Sequence, residues 1–355
     1  MKKTLKYFSL SAMAICFTAS VVFAGNEDRA GQAGANELLI NPWARTAGFG
    51  GCNVALVRGL EAVSLNVAGL GTNKGTEVVF AQTDWLRGSD ITISSFGVAQ
   101  KVGQSGSMAL SITSMRFGEI ERTTVEQPDG GLGTFSPQFL VVGLSYAKEF
   151  SNSIYGGMSV KMVSEAINDV KAQGLVVDAG IQYVTGLNGS EDNLKFGIAL
   201  RNVGTPMKYD GEGLAYRNDN PTTNINVLQQ QRAERFEMPS LVAIGVSYRI
   251  DFTADHSFTP MASFTSNSFI RDQFGFGGEY SFKQRLGFRM AYTFDKKDKN
   301  TILDDRISAQ LGLSAGVSVQ VPLGKGSNKF FGIDYGYRST ETFDGCHTIG
   351  ARFNL

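Results

Sequence analysis

Histidine and serine, which often carry catalysis and metal binding, occur here without the neighbours that such chemistry needs. The two histidines are His256 and His347, and neither has a second metal ligand three or four residues further along the chain. We interpret both as turn or rim residues. The chain has no Gly-x-Ser-x-Gly element, so nothing indicates a serine hydrolase. The sequence therefore predicts no metal site, no cofactor and no enzymatic activity.

Cysteines and glycine-rich stretches also lack a catalytic context. Two cysteines follow the first 24 residues, Cys52 and Cys346, and no Cys-x-x-Cys pair occurs. An oxidising compartment would permit a disulfide between them, but the sequence leaves their pairing open. The stretches 48–51 and 275–278 are rich in glycine without the strand–turn–helix setting of a phosphate site, and we interpret them as relief of crowding in a curved sheet.

Charged residues recur on the polar side of alternating segments, where they would face the interior of a barrel. One interpretation is a set of ion pairs that fills the interior, and the other is a polar conduit. Both place the side chains inward, so the sequence does not choose between them. The candidate lumen charges are Lys161, Glu165, Asp178, Lys195, Arg201, Arg249, Glu279, Arg289, Asp334, Arg338 and Arg352.

The elements that would position these charges are long segments in which apolar and polar residues alternate. At the C-terminus, for example, Ile349, Ala351, Phe353 and Leu355 alternate with polar residues and glycine. A half-buried soluble strand also alternates. These segments run for about ten residues, however, the length that a tilted strand needs to cross a bilayer. Their polar side is mostly glycine, serine and charge, which is typical of an outer-membrane β-barrel with a wet interior.

The pattern predicts an all-β fold, a transmembrane antiparallel β-barrel of about fourteen strands over residues 76–355. A change of parity near Ser94 to Phe96 indicates a bulge in the second strand. The predicted strands are 76–82, 91–101, 106–117, 138–149, 154–165, 174–184, 193–203, 240–250, 258–264, 273–282, 285–294, 307–321, 329–338 and 347–355.

The connections between these strands fall into two classes. If the C-terminus is periplasmic, the six connections between even strands and the next odd strand are periplasmic turns, and they are all short. The longest connections, 118–137, 204–239 and 295–306, then all lie outside the cell, together with 83–90, 166–173, 265–272 and 339–346. Short periplasmic turns and long outer loops are the rule for outer-membrane barrels.

Residues 1–24 have the features of a cleavable signal peptide: three lysines, then an apolar run, then Val22-Phe23-Ala24 before Gly25. The formal charge of the chain is zero, and removing these three lysines leaves −3. This balance gives no electrostatic basis for binding nucleic acid.

Residues 25–75 do not alternate. We predict short helices at 35–40 and 60–67 and a tight turn at 48–51. The segment could lie in the periplasm or fold back as a plug. Its apolar residues, Trp43 and Phe49 among them, need burial, which favours the plug.

Within this segment, the residues from Asn36 to Gly51 resemble the N-terminal signature of the PorV/PorQ outer-membrane proteins of Bacteroidetes. The stretches 59–62 and 66–70 resemble a second element of that family, with Val67 where the commoner pattern has proline, and 134–139 and 169–174 are also similar. The residues that carry this plug motif are Asn41, Pro42, Trp43, Arg45, Gly48, Gly50, Gly51 and Asn66.

The resemblance implies a barrel similar to the fatty-acid transporter FadL, with its N-terminal segment inside, in the outer membrane of a Gram-negative bacterium. It also implies a part in the type IX secretion system. There, PorV-like proteins bind the C-terminal signal domains of secreted cargo proteins at the translocon and pass them to the attachment machinery. The alternative function is a FadL-like channel for small hydrophobic molecules. The expected partners are outer-membrane lipid and, for the secretion role, translocon subunits, attachment-complex subunits and cargo.

Overall fold

A computed structural model describes residues 29–187, 192–220, 225–295, 310–324 and 329–355. The predicted signal peptide lies outside these ranges. The structure contains the predicted ring of fourteen antiparallel strands, each hydrogen-bonded to its neighbours in the chain. The strands are β1 (Thr76–Trp85), β2 (Ile91–Val102), β3 (Gly106–Arg116), β4 (Gln138–Ser151), β5 (Ile154–Ile167), β6 (Val170–Thr185), β7 (Leu194–Gly204), β8 (Leu241–Tyr248), β9 (His256–Asn267), β10 (Gln273–Phe282), β11 (Leu286–Asp295), β12 (Gly312–Pro322), β13 (Phe330–Arg338) and β14 (Cys346–Asn354).

The ring closes because β1 pairs antiparallel with β14, from Glu77 opposite Asn354 to Asp84 opposite His347. Closure leaves no free sheet edge, so every strand can satisfy its backbone hydrogen bonds within the barrel, as a hydrocarbon environment requires. The prediction of a transmembrane β-barrel of about fourteen strands is confirmed.

The two sides of the wall differ as the alternation predicts. On β7, Ile198 is 52% exposed whereas its neighbour Ala199 is 1% exposed. On β14, Ile349 is 60% exposed and Thr348 only 3%. Large exposed apolar side chains recur on strands all around the ring, and a continuous band of this kind is the surface that contacts lipid.

The prediction of an outer loop over 166–173 is wrong. Strands β5 and β6 continue through most of this range and are joined by Asn168 and Asp169 alone. Asn168 adopts a positive φ of 47°, a conformation that asparagine tolerates in tight hairpins. Strand β6 therefore extends beyond the end of its neighbour β7, whose last residue, Gly204, pairs with Val176.

The bulge predicted in β2 is also absent, because β2 pairs with β1 in unbroken register from Gln100 to Ile91. The alternation of apolar and polar residues in β2 changes for another reason. Ile93 points inward, where it is 2% exposed among other apolar side chains. The register shifts occur instead in β4, between Glu149 and Ser151, and in β6, between Val177 and Ala179.

Two other strands end earlier or start later than predicted. Strand β8 stops at Tyr248, and a short extension, Ile250–Asp251, continues along β9 after Arg249. Of the predicted twelfth strand, 307–309 lie outside the described residues, 310–311 form a turn, and β12 begins at Gly312. Some predicted connections, including 295–306 and parts of 185–192 and 322–328, also lie largely or partly outside the described residues.

At the outer end, the long connections form small hairpins. Ile120–Glu121 pairs with Thr134–Phe135, and Met207–Lys208 pairs with Arg235–Phe236. A longer hairpin joins Ala215–Asn220 to Ile225–Gln230. These elements belong to the connections 117–137 and 205–240, the longest on this side.

Among the described residues before β1, the helical elements are short. They include the 3-10 helices Asn36–Leu39, Leu60–Ser64 and Val67–Thr72 and one α-helix, α1 (Ala44–Ala47). The helix predicted over 60–67 is thus divided: Ser64 ends one turn, and Asn66 caps the next by accepting a hydrogen bond from the Ala68 amide. No helix in the described part of the chain is long and apolar enough to span a bilayer.

Candidate functional site

The interior of the barrel is filled by residues 29–75, which we call the N-terminal segment. Helix α1 contacts β12, β13, β14 and β1, whereas the turn Val67–Thr72 contacts β3 to β6 on the opposite side. Trp43, Phe49 and Leu60 are each no more than 1% exposed. A segment that touches inward-facing residues on both sides of a closed ring lies within its lumen.

Glycines in the wall provide room for the backbone of this segment. A Cβ atom at Gly336 would lie 2.5 Å from the Ala44 carbonyl oxygen, and one at Gly197 would lie 2.6 Å from the Val54 carbonyl oxygen. A Cβ atom at Gly48, on the segment itself, would lie 2.9 Å from the Gly316 Cα atom. Close approach to the N-terminal segment, rather than sheet curvature alone, therefore explains inward glycines of the wall.

Asn66 is the residue that ties the segment together. Its Nδ2 group donates to the Val54 carbonyl at 3.0 Å and to the Ile181 carbonyl of β6 at 3.2 Å. Its Oδ1 atom accepts from the Ala68 amide at 3.2 Å. Val67 occupies the first position of the following turn, where the related pattern has proline and where no amide donor is needed.

The other plug-motif residues lie around α1. Asn41 Oδ1 accepts from the Trp43 amide at 3.1 Å, and Pro42 lies between them. Arg45 is 4.0 Å from a Glu279 carboxylate oxygen of β10. Gly50 and Gly51 have positive φ values of 60° and 88°, which form the predicted tight turn after α1.

Two buried carboxylates that the sequence analysis missed hold the segment. Glu61 accepts hydrogen bonds from the amide and hydroxyl of Thr46, at 3.0 and 2.7 Å. Burial, and then the nearby Asp334 carboxylate, raises the pKa of Glu61. Glu77 of β1 accepts from the Leu60 amide at 2.7 Å. The hydrogen bonds of both carboxylates go to residues of the docked segment, so the alternation of strand residues could not predict them.

Several candidate lumen charges meet in one network beside α1. Arg289 lies 3.6 Å from Glu279, and its guanidinium also donates to the Ser318 hydroxyl and to the Arg45 carbonyl. The Ser318 hydroxyl in turn donates to Asp334. Arg352 completes the network at 3.4 Å from Asp334.

A second buried pair joins β5 to β6. The Lys161 ammonium donates to the Asp178 carboxylate, which also accepts from the Asn202 amide at 2.8 Å. Arg201, on β7, donates to the Leu38 carbonyl at 3.4 Å. These charges therefore contact one another or the N-terminal segment.

The remaining candidates lie apart from these networks. Lys195 and Arg338 are buried, and Arg338 stands opposite Cys346 in the β13–β14 register. Arg249 is at the short-turn end, where it pairs with Asp251 at 2.8 Å and keeps 39% of its side chain exposed. Glu165 is near the outer rim and accepts a hydrogen bond from Tyr209.

The histidines and cysteines have ordinary surroundings. His256 and His347 are within hydrogen-bond distance of Tyr280 and Tyr335, at 2.5 and 2.8 Å. Both cysteines are free and buried. The Cys52 thiol contacts the Phe49 carbonyl at 2.7 Å, and burial raises its pKa to about 12. Across the described ranges, no group of three or more potential metal ligands is assembled.

Little space remains between the N-terminal segment and the wall. One cavity, near Leu39 and Gly50, has a volume of about 60 Å³, and another, near Arg58, has about 10 Å³. The first has room for only a few water molecules. Around these two cavities, Trp43, Phe49 and Leu60 of the segment are packed against other protein atoms.

A larger cavity of about 310 Å³ opens at the outer rim, and we call it the outer cavity. It lies between the connection 117–137, the protruding end of β5, the start of the N-terminal segment and Tyr209. Its volume is at the lower end of the range of small-molecule sites. The lining residues are Glu37, Phe117, Ile120, Pro137, Gln138, Phe139, Glu165, Ala166, Ile167 and Tyr209.

Below the outer cavity, the upper lumen is apolar. Trp85, Ile93, Met115 and Phe139 pack there with Leu38 of the N-terminal segment. Met207 and Met238, from the ends of the connection 205–240, fold into the same cluster. The sequence analysis places this connection outside the cell and does not predict the burial of its ends, although Met207 and Met238 were a usable signal for it.

Known structures contain the same architecture. The chain is similar to the toluene transporter TbuX of Ralstonia pickettii, with 14% identity over 88% of this chain and 98% of that chain and a TM-score of 0.55. It is also similar to the toluene transporter TodX of Pseudomonas putida, with 11% identity over 88% of this chain and 96% of that chain and a TM-score of 0.55. A FadL homologue of Pseudomonas aeruginosa shares 10% identity over 88% of this chain and 98% of that chain, with a TM-score of 0.51. This chain has the FadL-type barrel fold.

At this level of identity the likeness establishes the fold alone. No family model matches the chain, and no curated protein matches it. Membership of the narrower PorV/PorQ family therefore stays a prediction.

Proposed function

We propose that this protein is a non-enzymatic outer-membrane barrel that takes up small hydrophobic molecules, and that these bind first in the outer cavity. The observation that carries the proposal is a cavity of about 310 Å³ with apolar walls at the outer end of an otherwise filled barrel. Apolar lining with a few polar groups is typical of sites for small hydrophobic ligands. The names of two similar structures, both toluene transporters, support the same class of ligand.

The apolar cluster beneath the cavity supports an inward route. Phe139 lines the outer cavity and also packs in that cluster. A molecule that leaves the cavity inward therefore meets apolar side chains first. It then reaches the N-terminal segment, which must shift before the molecule can pass.

The test is to fill the cavity. Ala166 lines the outer cavity, and Ala166→Phe adds a ring at this position. We expect it to lower toluene binding by the purified barrel at least about tenfold, the loss expected when a ligand is excluded from its pocket. Ala351→Phe is the matched control, because Ala351 lies on β14 in the row that contains lipid-facing Ile349 and Phe353. Equal toluene binding by both variants would refute this site.

A second candidate function is the type IX secretion role. The resemblance of residues 36–51 to the PorV/PorQ signature favours it, and so does an outer hairpin with Tyr216 50% and Leu228 69% exposed. Under this hypothesis the chain, in a Bacteroidetes outer membrane, binds the C-terminal signal domains of secreted cargo through the connections 117–137 and 205–240. It would then pass them from the translocon to the attachment complex.

A gene deletion distinguishes the two functions. Loss of surface and secreted proteins with normal uptake of hydrophobic molecules supports the secretion role. Loss of uptake with an unchanged inventory of surface proteins supports the channel. Absence of translocon subunits and cargo from detergent extracts purified on this chain would count against the secretion role.

A further inference from the structure

We propose that the outer cavity selects hydrophobic molecules that carry an amine or another hydrogen-bond donor, and that it disfavours fatty carboxylates. This inference rests on the proposed function, because it assumes that the outer cavity holds the ligand. It adds the chemical class of that ligand.

The first observation is the sign of the charges in the cavity. The apolar walls are interrupted by Glu37, Glu165, Gln138 and Tyr209. Among the described residues that line the cavity, the only charged side chains are thus two carboxylates. A ligand anion would add a third negative charge to a partly desolvated site, whereas a cation would reduce the repulsion.

The two carboxylates come from different elements. Glu37 belongs to the N-terminal segment and Glu165 to the end of β5. Burial raises the pKa of Glu37, and the negative charge of Glu165 raises it further. Both side chains line the same cavity, so the charge of each acts on a ligand that is bound there.

The third observation is that Glu165 already accepts a hydrogen bond in this site. The Tyr209 hydroxyl donates to its Oε2 atom. Carboxylates accept and do not donate, so the complementary ligand group is an N–H or O–H donor. The rings of Phe117, Phe139 and Tyr209 also line the cavity, and aromatic faces attract cations further.

Nearby basic residues do not reverse this balance. Lys171 pairs with Ala166 in the β5–β6 register, but its side chain is exposed and does not line the cavity. Lys208 lines a different, polar cavity of about 380 Å³ on the other side of Tyr209. Arg122 donates to Asn168 in the hairpin beyond β5.

The test compares three ligands with the same chain length: decylamine, 1-decanol and decanoate. The full-length mature barrel in phosphatidylcholine nanodiscs is dialysed to equilibrium at pH 7 against each ligand, and binding to empty nanodiscs is subtracted. We expect decylamine to bind at least about tenfold more tightly than decanoate, with decanol between them, because one charge contact in a partly buried site changes affinity by this order.

The double variant Glu37→Gln/Glu165→Gln keeps the shape of the cavity and removes both charges. We expect its decylamine and decanoate affinities to converge to within about threefold, since the electrostatic difference is gone. Glu126→Gln is the matched control, because Glu126 is exposed on the same outer connection and does not line the cavity. It should keep the wild-type order.

The outcomes separate this inference from the function on which it rests. Binding of decanol that Ala166→Phe abolishes, without preference for the amine, retains the channel and overturns the inference. Tighter binding of decanoate than of decylamine also overturns it. Failure of all three ligands to bind while toluene still binds overturns the inference alone, whereas failure of toluene as well refutes both. Circular dichroism and electrophoretic mobility with and without heating establish that each variant is a folded barrel.

Discussion

Substitution of Asn66 tests how the N-terminal segment is held in the lumen. The side chain is 1% exposed and makes three hydrogen bonds, two within the segment and one to β6. Asn66→Ala removes all three. The Val54 carbonyl keeps one other partner, Gln182 Nε2 at 3.2 Å, whereas the Ala68 amide loses its cap.

The magnitude follows from these contacts. A buried hydrogen bond contributes about 1 kcal/mol net, and part of the loss at Val54 is compensated, so the docked state should lose about 2–3 kcal/mol. Each 1.4 kcal/mol is a factor of about ten, so the undocked population should rise about 30- to 150-fold. The barrel strands should keep their stability, because their backbone hydrogen bonds do not depend on Asn66.

Hydrogen–deuterium exchange measures this directly. Peptides that cover residues 60–73 should exchange faster by the stated factor, whereas peptides from β10 and β11 should not change. Asn152→Ala, in the exposed turn between β4 and β5, is the matched control and should leave all peptides unchanged. An increase below about threefold in 60–73, or an equal increase throughout the barrel, would refute the role given to Asn66.

Three further predictions concern other contacts. Gly336→Ala should lower the free energy of unfolding in urea by about 1–3 kcal/mol, because its Cβ would collide with the Ala44 carbonyl. Gly332→Ala, on the same strand, should lower it by less than about 1 kcal/mol, because the nearest atom to its Cβ lies at 3.4 Å. Asp178→Ala should cost about 3–5 kcal/mol, since it leaves the buried Lys161 ammonium without its carboxylate, and adding Lys161→Met should restore part of that loss in the same assay. Iodoacetamide at pH 8 should not modify Cys52 in the folded barrel, because the thiol is buried and its pKa is raised to about 12. It should modify Cys52 after denaturation. Mass spectrometry of folded and denatured samples measures this, and equal modification of both would contradict the prediction.

The packed lumen constrains both proposed functions. A hydrophobic molecule that reaches the periplasm must displace part of the N-terminal segment, so the contacts of Asn66 and Glu61 also oppose passage. A secretion role needs no passage, because cargo would bind the outer connections. Toluene uptake by the Asn66→Ala variant therefore tests the channel function: faster uptake than in the wild type supports it.

The amino-acid sequence by itself determined the wall of the barrel. Alternation is a local property, because successive side chains of a strand point to opposite sides whatever the rest of the chain does. The alternation therefore revealed the strands together with their lipid-facing and inward-facing sides. Examples are Ile198 and Ala199, and Ile349 and Gly350. Strand ends were less certain, as the Asn168–Asp169 hairpin illustrates, because a short turn interrupts the pattern without ending the pairing.

Only the tertiary structure decided what fills the barrel. The partners of Asn66, Glu61 and Arg289 lie on elements distant in the chain, and no periodicity encodes which carbonyl or carboxylate they will meet. The same holds for Ile93, whose inward position broke the alternation because the upper lumen is apolar. The outer cavity combines the N-terminal segment, two strand ends and two long connections, so its two carboxylates line one cavity only when the closed ring brings these elements together.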